Sequence, residues 1–378
     1  MKLKRTLILI LIFTLSITSV IYADVSYFEL KEDMSEENST LEVLDFNVLK
    51  MAIDVYKAEL SSISMGNRVE DLNDLPFSIS SETMAPLMFV RDIVPLQVQY
   101  GYDTLKSNRE LTGNSFDVLV RQLSTGVISS QDSYELAVEK YDFYKNEYDN
   151  ALLKYDLGQF SKLDLLKSEV KFLEMQTAKD KAERALEESY LNLNKFVGYD
   201  LDKTYDIKRE EKVEIELKDP SYYLEYALEY RFEILDLEKQ IELQATIADF
   251  YDYGNFLASY PNYKARQDAI LEKAKLEFDL ELKKIEITEE IYSAISDIDI
   301  MSQQIDQLQN TLQLQENDYA DLMAQVNQGY MTESAIKELE FAITNIKNSL
   351  DVMIYSYNTK HYELHNATFL GPAYGGGM

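Results

Sequence analysis

Residues 295–326 read ISDIDIMSQQIDQLQNTLQLQENDYADLMAQV, and their apolar members decide the fold. Ile295, Ile298, Met301, Ile305, Leu308, Leu312, Tyr319, Leu322 and Val326 fall at alternating spacings of three and four, with Gln315 the one polar member of the series. That is a coiled-coil seam. Joined to Arg266–Ile291 it predicts a helix of about 60 residues, about 90 Å long at 1.5 Å per residue. No compact globular core needs such a length.

A short break follows at Gln328-Gly329-Tyr330-Met331-Thr332, where Gly329 suits a bend and Thr332 with Glu333 suits a new helix start. The seam resumes as Ile336, Leu339, Ile343, Ile346, Leu350, Met353 and Tyr357. Two seamed helices joined so tightly must fold back antiparallel. The first half of the chain has the same plan. Tyr134, Val138, Tyr141, Tyr148, Leu152 and Tyr155 form a seam, Leu157-Gly158-Gln159-Phe160-Ser161 interrupts it, and Leu166, Val170 and Leu173 continue it.

Placing Gly158 on Gly329 also places Ser161 on Thr332, Leu165 on Ile336 and Glu169 on Glu340, an offset of 171 residues. An internal duplication is the natural reading. A shorter helix precedes each hairpin, Phe46–Ser64 matching Phe232–Phe250 at an offset of 186, so the first half holds 15 extra residues. These fall in Gly66–Pro95, whose prolines and charges predict a loop. The expected fold class is therefore all-α, two tandem repeats of a short helix plus a long antiparallel coiled-coil hairpin.

Composition agrees. Only 12 Gly and 6 Pro occur in 378 residues, clustering near 66–101, 113–126, 158, 198, 220, 254–261, 329 and 371–377, so the intervening helices must be long. The absence of Cys excludes disulfides, thiol nucleophiles and Cys-based metal sites. Residues 1–23 read as a secretory signal: Lys2, Lys4 and Arg5, then an apolar stretch from Leu7 to Val20, then Ile21-Tyr22-Ala23 before a cut at Asp24. Removing those three bases takes the formal charge from −30 to −33, which argues against nucleic acid as a partner. The expected organisation is signal 1–23, extension 24–44, first repeat 45–198, linker 199–219, second repeat 220–366 and Gly-rich tail 367–378.

Several motifs then resemble those of TolC-type outer-membrane efflux proteins. Ala227-Leu228-Glu229-Tyr230-Arg231-Phe232-Glu233-Ile234 followed by Glu238-Lys239-Gln240-Ile241-Glu242 is similar to the start of that family's second repeat, with Phe232 in place of a proline. Tyr155–Ser161, Leu163-Asp164-Leu165-Leu166 and Glu169 resemble its tip motif, and Phe196-Val197-Gly198 the close of its first repeat. Gln328–Thr332 resembles the second tip, with Ala335 where the family has Asp. The resemblance implies a homotrimer forming a hollow helical cylinder. Its tips, Leu157, Gly158, Gln159, Phe160, Ser161, Gln328, Gly329, Tyr330, Met331 and Thr332, would dock on a membrane-fusion adaptor protein serving an inner-membrane pump. Asp164 and Glu338 match acidic positions that narrow the entrance. No cofactor or metal is implied.

One departure stands out. The family places two membrane-crossing strands between short helix and hairpin in each repeat, and each needs about 9–11 alternating residues. Tyr251–Tyr263 is too short for two, and in Gly66–Pro95 the residues Arg68, Glu70, Asp71, Asp74, Pro76, Pro86, Arg91, Asp92 and Pro95 break any lipid-facing alternation. The sequence thus predicts an exported duct of the cell envelope without barrel strands. The Tyr-rich bend Tyr251, Tyr253, Phe256, Tyr260 and Tyr263 stands where they would be.

His361 and His365, four apart, lack a third ligand and read as a surface pair near the chain end. The 28 tyrosines suit helix interfaces, where a ring is buried and its hydroxyl stays wet. No phosphate loop or nucleophile motif is present, which argues against an enzyme. Two readings remain: a transport duct, or a non-conducting structural or chaperone-like coiled-coil envelope protein.

Overall fold

The computed structural model describes residues 25–76, 78–253, 256–328 and 333–369. Its helices are α1 (Tyr27–Glu37), α2 (Ser39–Asn73), α3 (Ser81–Asp92), α4 (Val94–Asp156), α5 (Lys162–Val197), α6 (Pro220–Tyr230), α7 (Phe232–Asp252), α8 (Tyr260–Asn327) and α9 (Glu333–Phe369). A 3₁₀ turn, Phe256–Ala258, precedes α8. Among the described residues the one β pairing is an isolated parallel bridge between Val25 and Ile207. The fold is all-α, as the periodicity requires.

The seam helix is longer than the sequence suggests. α8 runs 68 residues because Pro261 sits in its first turn, where its missing N–H costs nothing. α4 runs 63 residues straight through Gly113 and Gly126, where the sequence predicts a break. Each internal glycine costs about 1 kcal/mol of helix propensity, and packing on both sides overrides it. At Gly101 a Cβ would lie 2.7 Å from the Met51 Cε, the flexible end of a side chain that can move aside.

The expected loop Gly66–Pro95 is largely helical. α2 extends through Gly66 to Asn73, α3 covers most of the remainder, and Pro95 occupies the first turn of α4. Pro86 lies inside α3 and forgoes one backbone bond. What holds α3 is burial: Met84 and Ala85 pack with Val69 and Phe256. The apolar content of the segment outweighs its breakers.

The long helices form one sheet of rods. In the half away from the tips the order is α2, α4, α7, α8, and in the half towards the tips it is α5, α4, α9, α8. α2 and α5 thus form one lateral edge, and α8 forms the other. The two largest buried clusters lie between these halves, one of Leu30, Met34, Leu41, Val120, Val127 and Leu193 and another of Ile234, Ile287, Ile291, Ile298, Ile305 and Leu364.

Residues 199–219 stitch the hairpins together. Val213 N–H donates to Asn358 Oδ1 at 3.0 Å, and Asn358 Nδ2 donates to the Glu211 carbonyl at 2.8 Å. The Arg209 guanidinium bridges Asp132 of α4 and Asp351 of α9, the latter at 2.8 Å. Backbone polar groups that no helix satisfies are thereby satisfied by side chains.

Candidate duct entrance and subunit edges

The first tip is a compact turn built by its sequence. Leu157 N–H donates to the Leu153 carbonyl at 3.1 Å, Gly158 N–H to Tyr155 at 2.8 Å and Gln159 N–H to Lys154 at 2.8 Å. Gly158 has φ of 73°, the left-handed conformation that L side chains resist. Ser161 then caps α5: its hydroxyl donates to Asp164 Oδ2 at 2.7 Å and accepts from Asp164 N–H at 3.2 Å. The Lys154 ammonium sits 5.1 Å from the Phe160 ring centroid. Leu153, Leu157 and Leu163 project outward, Leu157 with 72 % of its surface exposed. The turn therefore presents an apolar knob.

Asp164 has a structural task here. The Ser161 hydroxyl holds its carboxyl below the usual carboxylate range, so it is an ionised helix cap. At the second tip Gln328 is exposed, with its N–H donating to the Gln325 carbonyl at 3.2 Å; Gly329, Tyr330, Met331 and Thr332 lie outside the described residues. Glu338 accepts from the Tyr144 hydroxyl of α4, joining the two hairpins just above the tips. Beside it Phe143 meets the buried Phe341 edge-on, 5.7 Å between centroids. Glu340 accepts from Lys337 at 2.6 Å and from the Tyr319 hydroxyl at 3.0 Å, and the Lys337 ammonium pulls its carboxyl pKa down. Asp164 and Glu338 are not in one cluster within a chain.

The lateral edges are the feature the sequence reading missed. Along α2, Val43, Phe46, Leu49, Ile53, Tyr56, Leu60 and Ile63 leave 49–65 % of their surfaces uncovered. Their spacing of three and four is that of a seam without a partner. Along α8, Leu271, Phe278, Leu282, Ile285 and Tyr292 are likewise exposed. The spacing was legible, but only the packing of α2 on α4 shows that this seam faces outward.

Ion pairs fix the heights of these stripes. Asp45 binds Arg109 at 2.7 Å and the Ser62 hydroxyl donates to the Arg91 carbonyl at 2.6 Å, setting α2 alongside the end of α3 and the first turns of α4. Tyr100 and Thr104 each donate to Asp236 at 2.9 Å, while Arg231 reaches Glu290 and Arg266 reaches Asp252. The same zone of α4 is thus alongside α7 and residues 266–290 of α8. Both stripes occupy the half away from the tips, on opposite edges.

Arg231 organises the second edge. It breaks the chain between α6 and α7 with extended backbone, and, with only 1 % of the residue exposed, its guanidinium donates to Glu233 at 2.6 Å and to Glu290 at 2.8 Å. The sequence reads His361 and His365 as a surface pair, but His361 is buried, its ring 4.5 Å from that of Tyr357. Burial pushes its imidazole pKa down, and the Lys212 ammonium adds to the effect. His365 is exposed beside Phe369. At the end opposite the tips, Tyr253, Tyr260 and Tyr263 are exposed, whereas Phe256 is buried under α3.

Solved structures share this arrangement. CusC, described for conformational changes accompanying folding and transmembrane channel formation, superposes with a TM-score of 0.67 at 12 % identity over 93 % of each chain. The chain shares the fold of this channel protein. The Campylobacter jejuni CmeC outer membrane channel matches at 0.66 and 12 % identity, over 90 % of this chain and 85 % of that one. The open-state Neisseria gonorrhoeae MtrE outer membrane channel matches at 0.66 and 11 % identity, over 91 % and 89 %. No family model and no curated protein matches the sequence. In this chain the described residues between α2 and α4, and between α7 and α8, carry α3 and a 3₁₀ turn in place of strands. No described helix is long and apolar enough to cross a membrane.

Proposed function

We propose that this chain is the subunit of a TolC-like envelope duct: a non-enzymatic, exported homotrimer that docks by its hairpin tips on a membrane-fusion adaptor protein of an inner-membrane pump. The observation that carries the reading is the pair of uncovered apolar seams on opposite edges at matching heights. A surface on one edge that complements a different surface on the other generates a head-to-tail contact, which closes into a ring when the rotation between neighbouring copies is a whole fraction of a turn, as the proposed three-fold requires. The α2 stripe of one copy would cover the α8 stripe of the next. An exposed apolar seam this regular marks an interaction surface.

The apolar knob at Leu153, Leu157 and Leu163, with Gln159 and Phe160 beside it, supports adaptor docking at the first tip. Residues 328–332 supply the second. Imaging of the purified mature protein tests the reading. The expected particle is a hollow three-fold cylinder about 100 Å or more long, from the 68 residues of α8. A monomeric solid rod would refute it. The non-conducting coiled-coil reading draws on the lack of barrel strands among the described residues. It requires that the assembled particle, reconstituted between two compartments, pass no ions.

A further inference from the structure

The α8 edge changes character towards the tips, whereas the α5 edge keeps an exposed apolar stripe of Leu163, Leu166, Val170 and Leu173 and flanks it with lysines. From Ile285 to Ile336 the sequence contains no Lys or Arg, although ten Asp and Glu fall in that stretch. On the free side of α8, Asp306, Asp318 and Asp321 are exposed and make no ion pair among the described residues. The long apolar side chains exposed on this lower half are few: Ile300, Leu314 and Met323. The opposite edge, α5, is different. Its outward groove is lined by Lys167, Lys171 and Lys181 with a single acid, Glu174, around Leu166, Val170 and Leu173. Lys171 spends little of its charge internally, its contact with Glu174 being 3.8 Å long and half exposed.

We infer that the Lys167–Lys181 face of α5 in one copy pairs with the Asp306–Asp321 face of α8 in the next, so that in the tip half ion pairs flank the apolar contact, while the far half is closed by apolar seams alone. This rests on the ring reading and deepens it. The occupant of each face is a second copy because the two faces are complementary in sign, lie on opposite edges and occupy the same half of the rod sheet. Within one chain they are separated by the full width of α4 and α9, so they cannot neutralise each other.

The consequence is an entrance that responds to ionic strength. Exposed pairs are screened once the Debye length falls from about 10 Å at 0.1 M salt to about 3 Å at 1 M, whereas apolar burial is not weakened by salt. The tip half can therefore loosen while the far half holds the assembly together.

Zero-length carbodiimide coupling of the full mature protein, followed by peptide mass mapping, tests this, with the mass of the assembly measured in parallel. At 0.1 M salt, amide links are expected between Lys167, Lys171 or Lys181 and Asp306, Asp318 or Asp321. At 1 M salt their yield is expected to fall at least about fivefold with the assembly mass unchanged. An intact trimer that gives no α5–α8 links, or links indifferent to salt, overturns the ion pairing in the tip half and leaves the ring standing. A monomer under all conditions overturns the ring reading itself.

Discussion

Leu49→Ser together with Ile63→Ser removes two side chains from the uncovered α2 seam, where they leave 62 % and 64 % of their surfaces exposed in the single chain. Burying a whole Leu or Ile is worth about 1.5–3 kcal/mol, so the exposed portion of each can still contribute about 1–2 kcal/mol on association. Two such losses weaken each subunit interface by about 2–4 kcal/mol. A closed trimer has three identical interfaces, so assembly as a whole loses about 6 kcal/mol or more. Because the midpoint concentration varies with the square root of a trimerisation constant, it should rise about a hundredfold. Sedimentation or light scattering across a dilution series reads the shift, and far-ultraviolet circular dichroism should show unchanged helix content, since neither residue supports the isolated fold. A variant that keeps the parent's mass at every dilution would show that the α2 seam is not the subunit contact.

Four further outcomes follow from the geometry. Gly158→Ala should cost about 1 kcal/mol, because the φ of 73° disfavours any Cβ while nothing lies within 4 Å to clash with it; faster amide exchange at residues 155–161 is the readout. Arg231→Met should destabilise by about 3 kcal/mol, at the low end for a broken buried pair because Glu233 and Glu290 keep 23 % and 36 % of their side chains in water; adding Glu233→Gln and Glu290→Gln should recover most of the loss in urea unfolding. His361 has a folded pKa below its unfolded value near 6.5, so the unfolded chain binds the extra proton and stability should fall as pH drops below about 6.5; His361→Phe should flatten that slope in thermal melts. Replacing Asp164 and Glu338 together with Ala should raise the conductance of a reconstituted duct if they narrow its entrance, and an unchanged conductance would leave Asp164 as a helix cap alone.

Arg231 shows how a legible motif can hide its reason. The sequence offers it as one letter of a resemblance, whereas the structure makes it the buried bolt between α6, α7 and α8. Gly66–Pro95 shows the converse error. Its prolines and charges read as a loop because breakers act locally, but Met84 and Ala85 are buried by Phe256, about 170 residues away in sequence.

What the sequence determined by itself is periodic and local: the heptad seams, the glycine and Ser161 cap that turn the first tip, and hence an all-α chain of two long hairpins. Those signals survive because a helix is specified by spacings of three and four within one segment. The tertiary structure alone decided which side of each seam is covered, that α2 and α8 end as bare edges on opposite sides, and that a histidine four residues from an exposed one is buried. Such facts depend on which helices become neighbours, and neighbourhood is set by packing between residues far apart in the chain.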